Sequence, residues 1–294
     1  MGSAVELFAQ VTLNGIAVGA IYALVALGIV LIYKATEVLN FAHGDILVLG
    51  AFCAWALISG AGLPFWLALV ITAGGVAAFA YGLDAVVIRR IAGQPQFSGV
   101  MLTIALAFMI RGAVSMTFGA ESQSYRTPWT GQSVQVLGIG VANLSLVIMG
   151  VVMTITLALW AFFRSTRLGI AMQAASQNQL AAHLNGVRVK RLNSLVWALG
   201  GATAAVAGVF LAPVTLVDIS LWLVTLKALA AIVLGGFGSI PGAILGGLLI
   251  GLIEQYAGVY LPHGFKDIAA YLVLIAVLVL RPRGILGEAH GRRV

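Results

Sequence analysis

Charged residues are scarce in this chain: Asp, Glu, Lys and Arg make up 9% of its 294 residues, against roughly 25% in an ordinary soluble domain. Hydrophobic residues make up 61%, and the mean hydropathy is +1.07. A body with so little polar surface does not stay dissolved in water, which excludes a soluble globular domain. Lipid is therefore the predicted solvent of most of the chain.

Cysteine is nearly absent, and the motifs of common catalytic sites are missing. The single Cys53 excludes an intramolecular disulfide and any metal site built from cysteines. No lysine stands in a P-loop pattern, no HExxH motif occurs, and the four histidines lie far apart in sequence. The sequence therefore predicts no catalytic residue, no metal and no cofactor in this chain, and an intramembrane enzyme is disfavoured.

Apolar stretches recur along the chain, and a helix that crosses the hydrocarbon core needs about 20 such residues. The candidate stretches are 11–33, 38–59, 63–83, 100–118, 142–163, 193–211, 222–238, 243–259 and 267–280. They predict an all-α membrane protein, a polytopic bundle of about nine transmembrane helices with eight or ten as alternatives, forming one domain over 1–294. Glycine with His, Asp or Pro interrupts 38–59 and 222–259, so we expect broken or re-entrant helices there.

Glycines at four-residue spacing mark helices that can approach closely in lipid. The pairs are Gly15 and Gly19, Gly242 and Gly246, and Gly247 and Gly251. This spacing predicts close helix packing and indicates nothing about a transported solute.

Basic residues concentrate in three segments between or after the spans. They are Arg89 and Arg90, several residues within 164–191, and the C-terminal arginines that include Arg292 and Arg293. Because basic residues favour the cytoplasmic side, we expect the N-terminus outside and the C-terminus inside. The net charge of +7 does not indicate nucleic-acid binding here, because the distribution of Lys and Arg among the loops is what sets the orientation. Segment 119–141, rich in Ser, Thr, Gln and Gly, is predicted to be a solvated outer loop.

The longest polar stretch is 164–192, on the predicted cytoplasmic side. An inside loop needs far fewer residues merely to turn around. We therefore expect one or two short helices that form a docking surface for a cytoplasmic partner. A basic loop that only sets the topology is the alternative.

Ionisable groups inside predicted spans are informative, because a charge at bilayer depth costs several kcal/mol unless it is paired, reaches the interface or faces water. Lys227 and Glu254 each lie about five residues from the outer ends of antiparallel spans, so they can meet. Their pair is either a structural ion pair or part of a water-filled path. Arg111, about seven residues below its outer end, is expected to extend toward the interface.

Asp45 belongs to a second polar group, in the motif NFAHGD. Together with Asn40 and His43 it concentrates polarity early in the second span. Such a pattern predicts a helix interruption of the kind that transporters place near their substrate route.

Three stretches of the chain stand in a recognisable order. They are LNGIAVGAIYALVALGIVLIYKATEVLNFAHGD at 13–45, the segment 164–213 with LAAHLNGVRVKRLN, and KALAAIVLGGFGSIPGAILGGLLIGLIEQ at 227–255 followed by RPRGILG at 281–287. They resemble the membrane-spanning permease subunits of bacterial ATP-binding-cassette importers for branched-chain amino acids, with urea and amide permeases as close relatives. The likeness covers most of the chain, and 46–163 is the least distinctive region.

This resemblance implies a half-transporter in the bacterial inner membrane, which performs no covalent chemistry itself. A second permease subunit, the same or a related chain, would complete the path. Two cytoplasmic ATPase subunits would hold ATP and Mg, and a periplasmic binding protein would deliver the substrate. Residues Asn40, His43, Asp45, Lys227 and Glu254 are the candidates for the translocation path.

The resemblance also makes 164–192 the coupling loop that meets the ATPase, with Gly186, Val187 and Arg191 in its LxGV-type element. Many members of the family have an acidic residue in the first helix of this loop, and this chain has no acid there. Gln177 or the arginines Arg188 and Arg191 are therefore expected to make the ATPase contact.

The predicted cargo is a branched-chain or another hydrophobic amino acid. One alternative keeps the machine and changes the cargo to urea, a short amide or another small solute. The other is a self-contained secondary transporter or channel in which Asp45, Lys227 and Glu254 couple ions. That alternative calls for an inverted repeat between the halves of the chain, and none is evident in the sequence.

Overall fold

The computed structural model describes residues 2–91, 93–136, 139–281 and 283–287. The described residues form eleven α-helices and one β-hairpin, which confirms the predicted all-α membrane class. Arg292 and Arg293, which we expect on the cytoplasmic side, lie outside the described residues.

The helices follow one another with short connections. They are α1 Gly2–Thr36, α2 His43–Trp55, α3 Phe65–Val86, α4 Gln96–Phe118, α5 Asn143–Ser165, α6 Arg167–Gln177, α7 Gln179–Leu184, α8 Val189–Leu211, α9 Val224–Gly235, α10 Ile240–Tyr260 and α11 Phe265–Leu280. A π-helical turn, Ala56–Gly60, extends α2, and 3-10 turns at Ile88–Ile91 and Ile219–Leu223 follow α3 and precede α9.

Seven of the described helical segments are long and apolar enough to cross a membrane: Val5–Thr36, His43–Gly60, Phe65–Ile91, Gln96–Phe118, Asn143–Ser165, Val189–Leu211 and Ile240–Tyr260. Ile219–Gly235 is a shorter apolar helix. Helices overlap all nine predicted stretches. The chain is therefore a multi-pass membrane protein, while the number of crossings stays a prediction.

Helix breaks occur in both regions where glycine and polar residues predict them. Helix α1 ends at Thr36, Glu37 has a positive φ of 57°, and α2 begins only at His43. Helices α9 and α10 are separated by 236–239, where Gly236 and Gly238 have φ values of 111° and 84°. The side chain of Ser239 then caps α10 by accepting a hydrogen bond from the Gly242 N–H.

The described residues group into two compact units. The first comprises those within Met1–Val30, Arg126–Val152 and Leu223–Val294. In it, α10 packs on α1 through glycines: a Cβ at Gly19 would lie 2.8 Å from Cα of Leu248. A Cβ at Gly251 would lie even closer to Cα of Gly19, and Gly246 approaches the backbone of Ala231 of α9. The glycine spacing therefore predicted close packing correctly, since helix backbones meet only where side chains are small.

A short C-terminal segment completes the first unit. The N–H groups of Ile285 and Leu286 donate hydrogen bonds of 2.8 Å to the carbonyls of Leu234 and Gly235. These carbonyls end α9 and have no partner within their own helix. Residues 283–287 thus cap the helix break at 236–239.

The second unit comprises Leu31–Tyr125 and Met153–Trp222. Helix α8 is its centre and packs on α2 and α3. A Cβ at Gly50 would lie 2.6 Å from Cα of Ala205, so α2 and α8 are in backbone contact. The largest fully buried side chains here are Trp197, Phe52 and Phe210.

The segment 119–141, predicted to be a solvated loop, contains structure that the sequence did not predict. In the first unit, β1 (Ser133–Val136) pairs antiparallel with β2 (Ile139–Ala142). In the second unit, Gln123 and Val217 form a two-way backbone bridge with distances of 2.8 Å. Strands of four residues are too short to give a clear alternating pattern.

Candidate functional site

The irregular segment between α1 and α2 is held by α4. The N–H of Phe41 donates to the Thr103 hydroxyl oxygen at 3.3 Å. The one proton of that hydroxyl is within reach of two carbonyls, that of Val100 in its own helix at 2.9 Å and that of Leu39 at 3.2 Å. The N–H of Ala42 donates to Oδ1 of Asn40 at 3.0 Å. Backbone groups that leave a helix at membrane depth need such partners, and Thr103, with no exposed surface, supplies them.

Polar atoms of this segment retain unused hydrogen-bonding capacity. Asn40 is 3% exposed and His43 is fully buried. Nδ2 of Asn40 and both ring nitrogens of His43 have no hydrogen-bond partner within the described residues. A buried polar group without a partner costs about 1–3 kcal/mol, so this arrangement favours a bound water or a polar solute at the start of α2.

Asp45, in the first turn of α2, forms a buried ion pair with Arg111 of α4. Nε of Arg111 donates to Oδ1 at 2.7 Å and Nη2 donates to Oδ2 at 3.2 Å. The guanidinium also stacks on the ring of Trp222, 4.3 Å from its centroid, and lies 5.5 Å from the centroid of Phe108. This pair was not predicted from the sequence, and the extension of Arg111 toward the interface stays a prediction.

Lys227 and Glu254 are brought together, as their matched depths predict. Nζ of Lys227 lies 2.8 Å from Oε1 of Glu254. The Tyr22 hydroxyl donates to Oε2 of the same carboxylate at 2.6 Å. The carboxylate thus has a partner for each oxygen, which suits a stable ion pair in lipid. A role for Lys227 and Glu254 in lining the path stays a prediction.

The loop 164–192 folds into two short helices, as expected. Thr166 caps α6 by accepting from the Gly169 N–H, and Asn178 caps α7 by accepting from the Ala181 N–H. Gly186 has a φ of 83°, a conformation that favours glycine at a helix end. The length of this segment predicted the short helices, and its role in docking a partner stays a prediction.

The surface of this loop combines polar and apolar side chains. Gln177, Gly186, Arg188 and Arg191 are all exposed. The loop also exposes Leu180 and Leu184, 69% and 78% accessible, at i and i+4 of α7. Two leucines on one exposed helix face, beside arginines, form an amphipathic surface of the kind that binds a partner.

Two hydrogen-bonded links of this region to other helices were missed by sequence reasoning. Nε2 of Gln179 donates to the carbonyl of Ala35 at 3.0 Å, which joins α7 to the end of α1. Nη2 of Arg89 donates to the Ser194 hydroxyl at 2.6 Å, and Ser194 donates to Asp84 at 2.6 Å. No local motif signals either link, because the partners are far apart in sequence.

On the far side of the second unit, Asp218 accepts hydrogen bonds from the Ser122 hydroxyl at 2.6 Å and from the Ser220 N–H at 2.7 Å. The Ser122 hydrogen bond, followed by those from Ser220, lowers the pKa of Asp218 below its ordinary value. Within the described ranges, no three His, Cys, Asp or Glu side chains are grouped to hold a metal ion.

Known proteins are similar to this chain in sequence and in fold. The family model for the branched-chain amino acid transport system permease component matches residues 11–279. The high-affinity branched-chain amino acid transport system permease protein LivH of Escherichia coli is 31% identical over 303 residues, 98% of each chain. The corresponding protein BraD of Pseudomonas aeruginosa is 31% identical over 301 residues, again 98% of each chain.

A solved structure, PsaBC from Streptococcus pneumoniae in complex with Fab, has the same fold with a TM-score of 0.51 and 16% identity, covering 92% of this chain and 91% of that one. The family match extends over most of the chain, and the relatives match nearly end to end. The chain belongs to the family of branched-chain amino acid transport system permease components.

Proposed function

We propose that this chain is a non-catalytic permease subunit of an ATP-binding-cassette importer in the bacterial inner membrane, with its N-terminus outside and its C-terminus in the cytoplasm. A second permease, the same or a related chain, completes the path. Two cytoplasmic ATPase subunits hold ATP and Mg, and a periplasmic binding protein delivers the substrate. The names of the relatives favour branched-chain amino acids as cargo over urea or a short amide.

The observation that carries this proposal is the polar start of α2. Irregular backbone at membrane depth is tolerated where it is buried in protein or lines a water-filled cavity, and interrupted helices mark substrate routes in transporters. Here the irregular segment presents the unpartnered polar atoms of Asn40 and His43 beside the ion pair of Asp45. Asn40, His43 and Asp45 are buried in this conformation. A conformational change that opens the start of α2 would let the unpartnered atoms of Asn40 and His43 form hydrogen bonds with a passing solute without first breaking others.

The loop 164–192 supports the coupling half of the proposal. The ATPase docks on the exposed surface formed by α6, α7 and the turn at Gly186, with Gln177, Arg188 and Arg191 in contact. Movement of α7 reaches the end of α1 through the Gln179 hydrogen bond to Ala35. The irregular segment that leads to α2 begins directly after α1, so the motion arrives at the candidate path.

A reconstituted importer tests the cargo. The chain is co-purified with a second permease, ATPase subunits and a binding protein from the same organism, and ATP hydrolysis is measured with leucine, isoleucine, valine, urea and acetamide. We expect stimulation by the branched-chain amino acids alone. Uptake that needs an ion gradient and no ATPase subunit would show a secondary transporter instead.

A pair of glutamine variants tests the coupling route. Gln179→Ala removes the side chain that reaches Ala35, and Gln135→Ala removes an exposed side chain of β1, outside the docking surface. We expect Gln179→Ala to lower the amount of substrate taken up per ATP hydrolysed, with the protein still inserted and assembled. Gln135→Ala serves as the matched control and is expected to leave this ratio unchanged. Equal ratios for both variants would contradict the route.

A further inference from the structure

An apolar groove of about 760 Å³ lies between α2, α3 and α4. Its walls come from residues within 49–57, 71–79 and 109–118. All of these helices belong to the second unit and to segments that can cross a membrane. None of the described residues that line the groove is charged.

The length of the groove matches one leaflet of a bilayer. Its lining extends over eight residue steps on α3 and nine on α4, which is about 12–13.5 Å at 1.5 Å per residue. Half of a hydrocarbon core about 30 Å thick is about 15 Å. The groove therefore has the length over which one acyl chain extends in one leaflet.

The volume also fits a hydrocarbon chain. A methylene group is similar in size to a water molecule, whose share of liquid volume is about 30 Å³, so 760 Å³ holds roughly 25 such groups. One long acyl chain fits, with some space left for its motion.

The chemistry of the walls excludes the proposed substrate as the occupant. An amino acid is a zwitterion, and each of its charges costs several kcal/mol at membrane depth unless it is paired. The groove offers the hydroxyls of Thr72 and Thr117 and the thiol of Cys53 as its polar groups. The Thr117 hydroxyl already donates to the carbonyl of Ala113 at 2.7 Å. No side chain in the groove can pair with a carboxylate or an ammonium group.

The rim of the groove suits a flexible ligand better than a second helix. Helices that pack tightly in lipid meet through small residues, as α1 and α10 do in this chain. The rim here carries Ile71, Phe79 and Met109, which are 45%, 38% and 58% exposed. The unbranched, flexible side chain of Met109 adapts to a mobile apolar chain, and large side chains such as Ile71 and Phe79 keep a second helix from approaching closely.

We infer that this groove binds one acyl chain of a membrane phospholipid. The inference requires that α2, α3 and α4 lie in the bilayer and does not depend on the transported solute or on ATP coupling. A seated acyl chain contacts α2 a few turns beyond Asp45, so the lipid forms part of the wall that supports the candidate path.

A photoreactive lipid tests the inference. The full-length protein, alone and in the assembled importer, is placed in nanodiscs of phosphatidylcholine that contain a small fraction of the same lipid with a diazirine in one acyl chain. After illumination, mass spectrometry locates the labelled residues. We expect labelling to concentrate in 49–57, 71–79 and 109–118, above the level on the exposed face of α5 at Leu157 and Trp160.

Two adjacent glycines supply matched variants. Gly74 and Gly75 both face open space, and only Gly75 lines the groove. Gly75→Phe is expected to abolish the excess labelling of the groove, whereas Gly74→Phe retains it. Thermal unfolding of both variants checks that each is folded.

Two outcomes would overturn the inference. The first is uniform labelling of all lipid-facing helices that Gly75→Phe does not change. The second is loss of groove labelling in the assembled importer together with cross-linking of Cys53, the single cysteine, to a second permease chain. That result would assign the groove to a partner helix. Either outcome leaves the proposed transport function standing, because substrate-stimulated ATP hydrolysis is measured separately.

Discussion

Removing either charge of the buried pair between Asp45 and Arg111 is expected to destabilise the second unit, and removing both is expected to cost little more than removing one. Asp45 is 1% exposed at its side chain and Arg111 is 22% exposed. The two variants Asp45→Asn and Arg111→Met, with their double variant, form a thermodynamic cycle that isolates the interaction between the two side chains.

The magnitudes follow from the two hydrogen bonds and from the difference in exposure. Hydrogen bonds to charged groups contribute about 1.5–3 kcal/mol each, and breaking a buried ion pair costs about 3–5 kcal/mol. Arg111→Met leaves the carboxylate of Asp45 without a charge partner in its most buried position, so it takes the full loss. Asp45→Asn leaves a partly exposed guanidinium that keeps its cation–π contact with Trp222, which contributes about 0.5–2 kcal/mol. The free energy of unfolding is therefore expected to fall less for Asp45→Asn than for Arg111→Met. We expect a coupling energy of about 2–3 kcal/mol.

Denaturant unfolding of the purified chain in one detergent measures all three losses. Arg188→Met, at an exposed position of the coupling loop, is the control for removal of a positive charge and is expected to change the free energy of unfolding by less than about 0.5 kcal/mol. Losses of the single variants that add up in the double variant within about 0.5 kcal/mol would refute the reasoning. The two side chains would then contribute independently.

Two further predictions concern single side chains. Thr72→Val is expected to leave the free energy of unfolding unchanged or to raise it, since the Thr72 hydroxyl is buried without a partner among the described residues. Thr103→Val breaks the hydrogen bonds that hold the irregular segment and is expected to lower the free energy of unfolding by about 1–3 kcal/mol. Equal changes for the two variants in denaturant unfolding would contradict these different roles of the two hydroxyls. The pKa of Asp218 is lower in the folded chain than in the unfolded chain, where it is about 3.9. The charged carboxylate therefore stabilises the folded state when the pH is above this value, and the contribution is lost as the pH falls below about 4. The protection of amides around residue 218 against hydrogen exchange, corrected for the intrinsic pH dependence of exchange, should then fall in acid more strongly in the wild type than in Ser122→Ala. Identical pH profiles of this protection would speak against the hydrogen bond.

Several features of this fold were predictable from hydrophobic length and residue spacing. Glycines four residues apart predict backbone contact, and Gly19 and Gly251 meet between α1 and α10. Lys227 and Glu254 were predicted to meet because their helices are neighbours in sequence, antiparallel, and carry the charges at the same depth. For Lys227 and Glu254, the short connection between α9 and α10 fixes the geometry, so distances along the chain convert directly into distances in space.

The pair of Asp45 and Arg111 was not predictable in this way. The residues are 66 positions apart, and the depth of Asp45 depends on where α2 begins. Hydropathy places the start of the span at 38, yet the structure starts the helix at His43. That difference arises because Thr103, on another helix, stabilises the irregular backbone in place of helical hydrogen bonds. Tertiary partners of this kind leave no trace in a local pattern.

The cap that Ile285 and Leu286 place on α9 has a consequence for the order of biosynthesis. These residues are made about fifty positions after Leu234, which at 5–20 residues per second means a delay of about 3–10 s. During that interval the final carbonyls of α9 have no protein partner, and α10 must enter the membrane beside an uncapped helix. Insertion of the helix pair α9 and α10 and completion of its packing are therefore separate events in time. The packing is complete only when residues 283–287, which follow α11, have been synthesised.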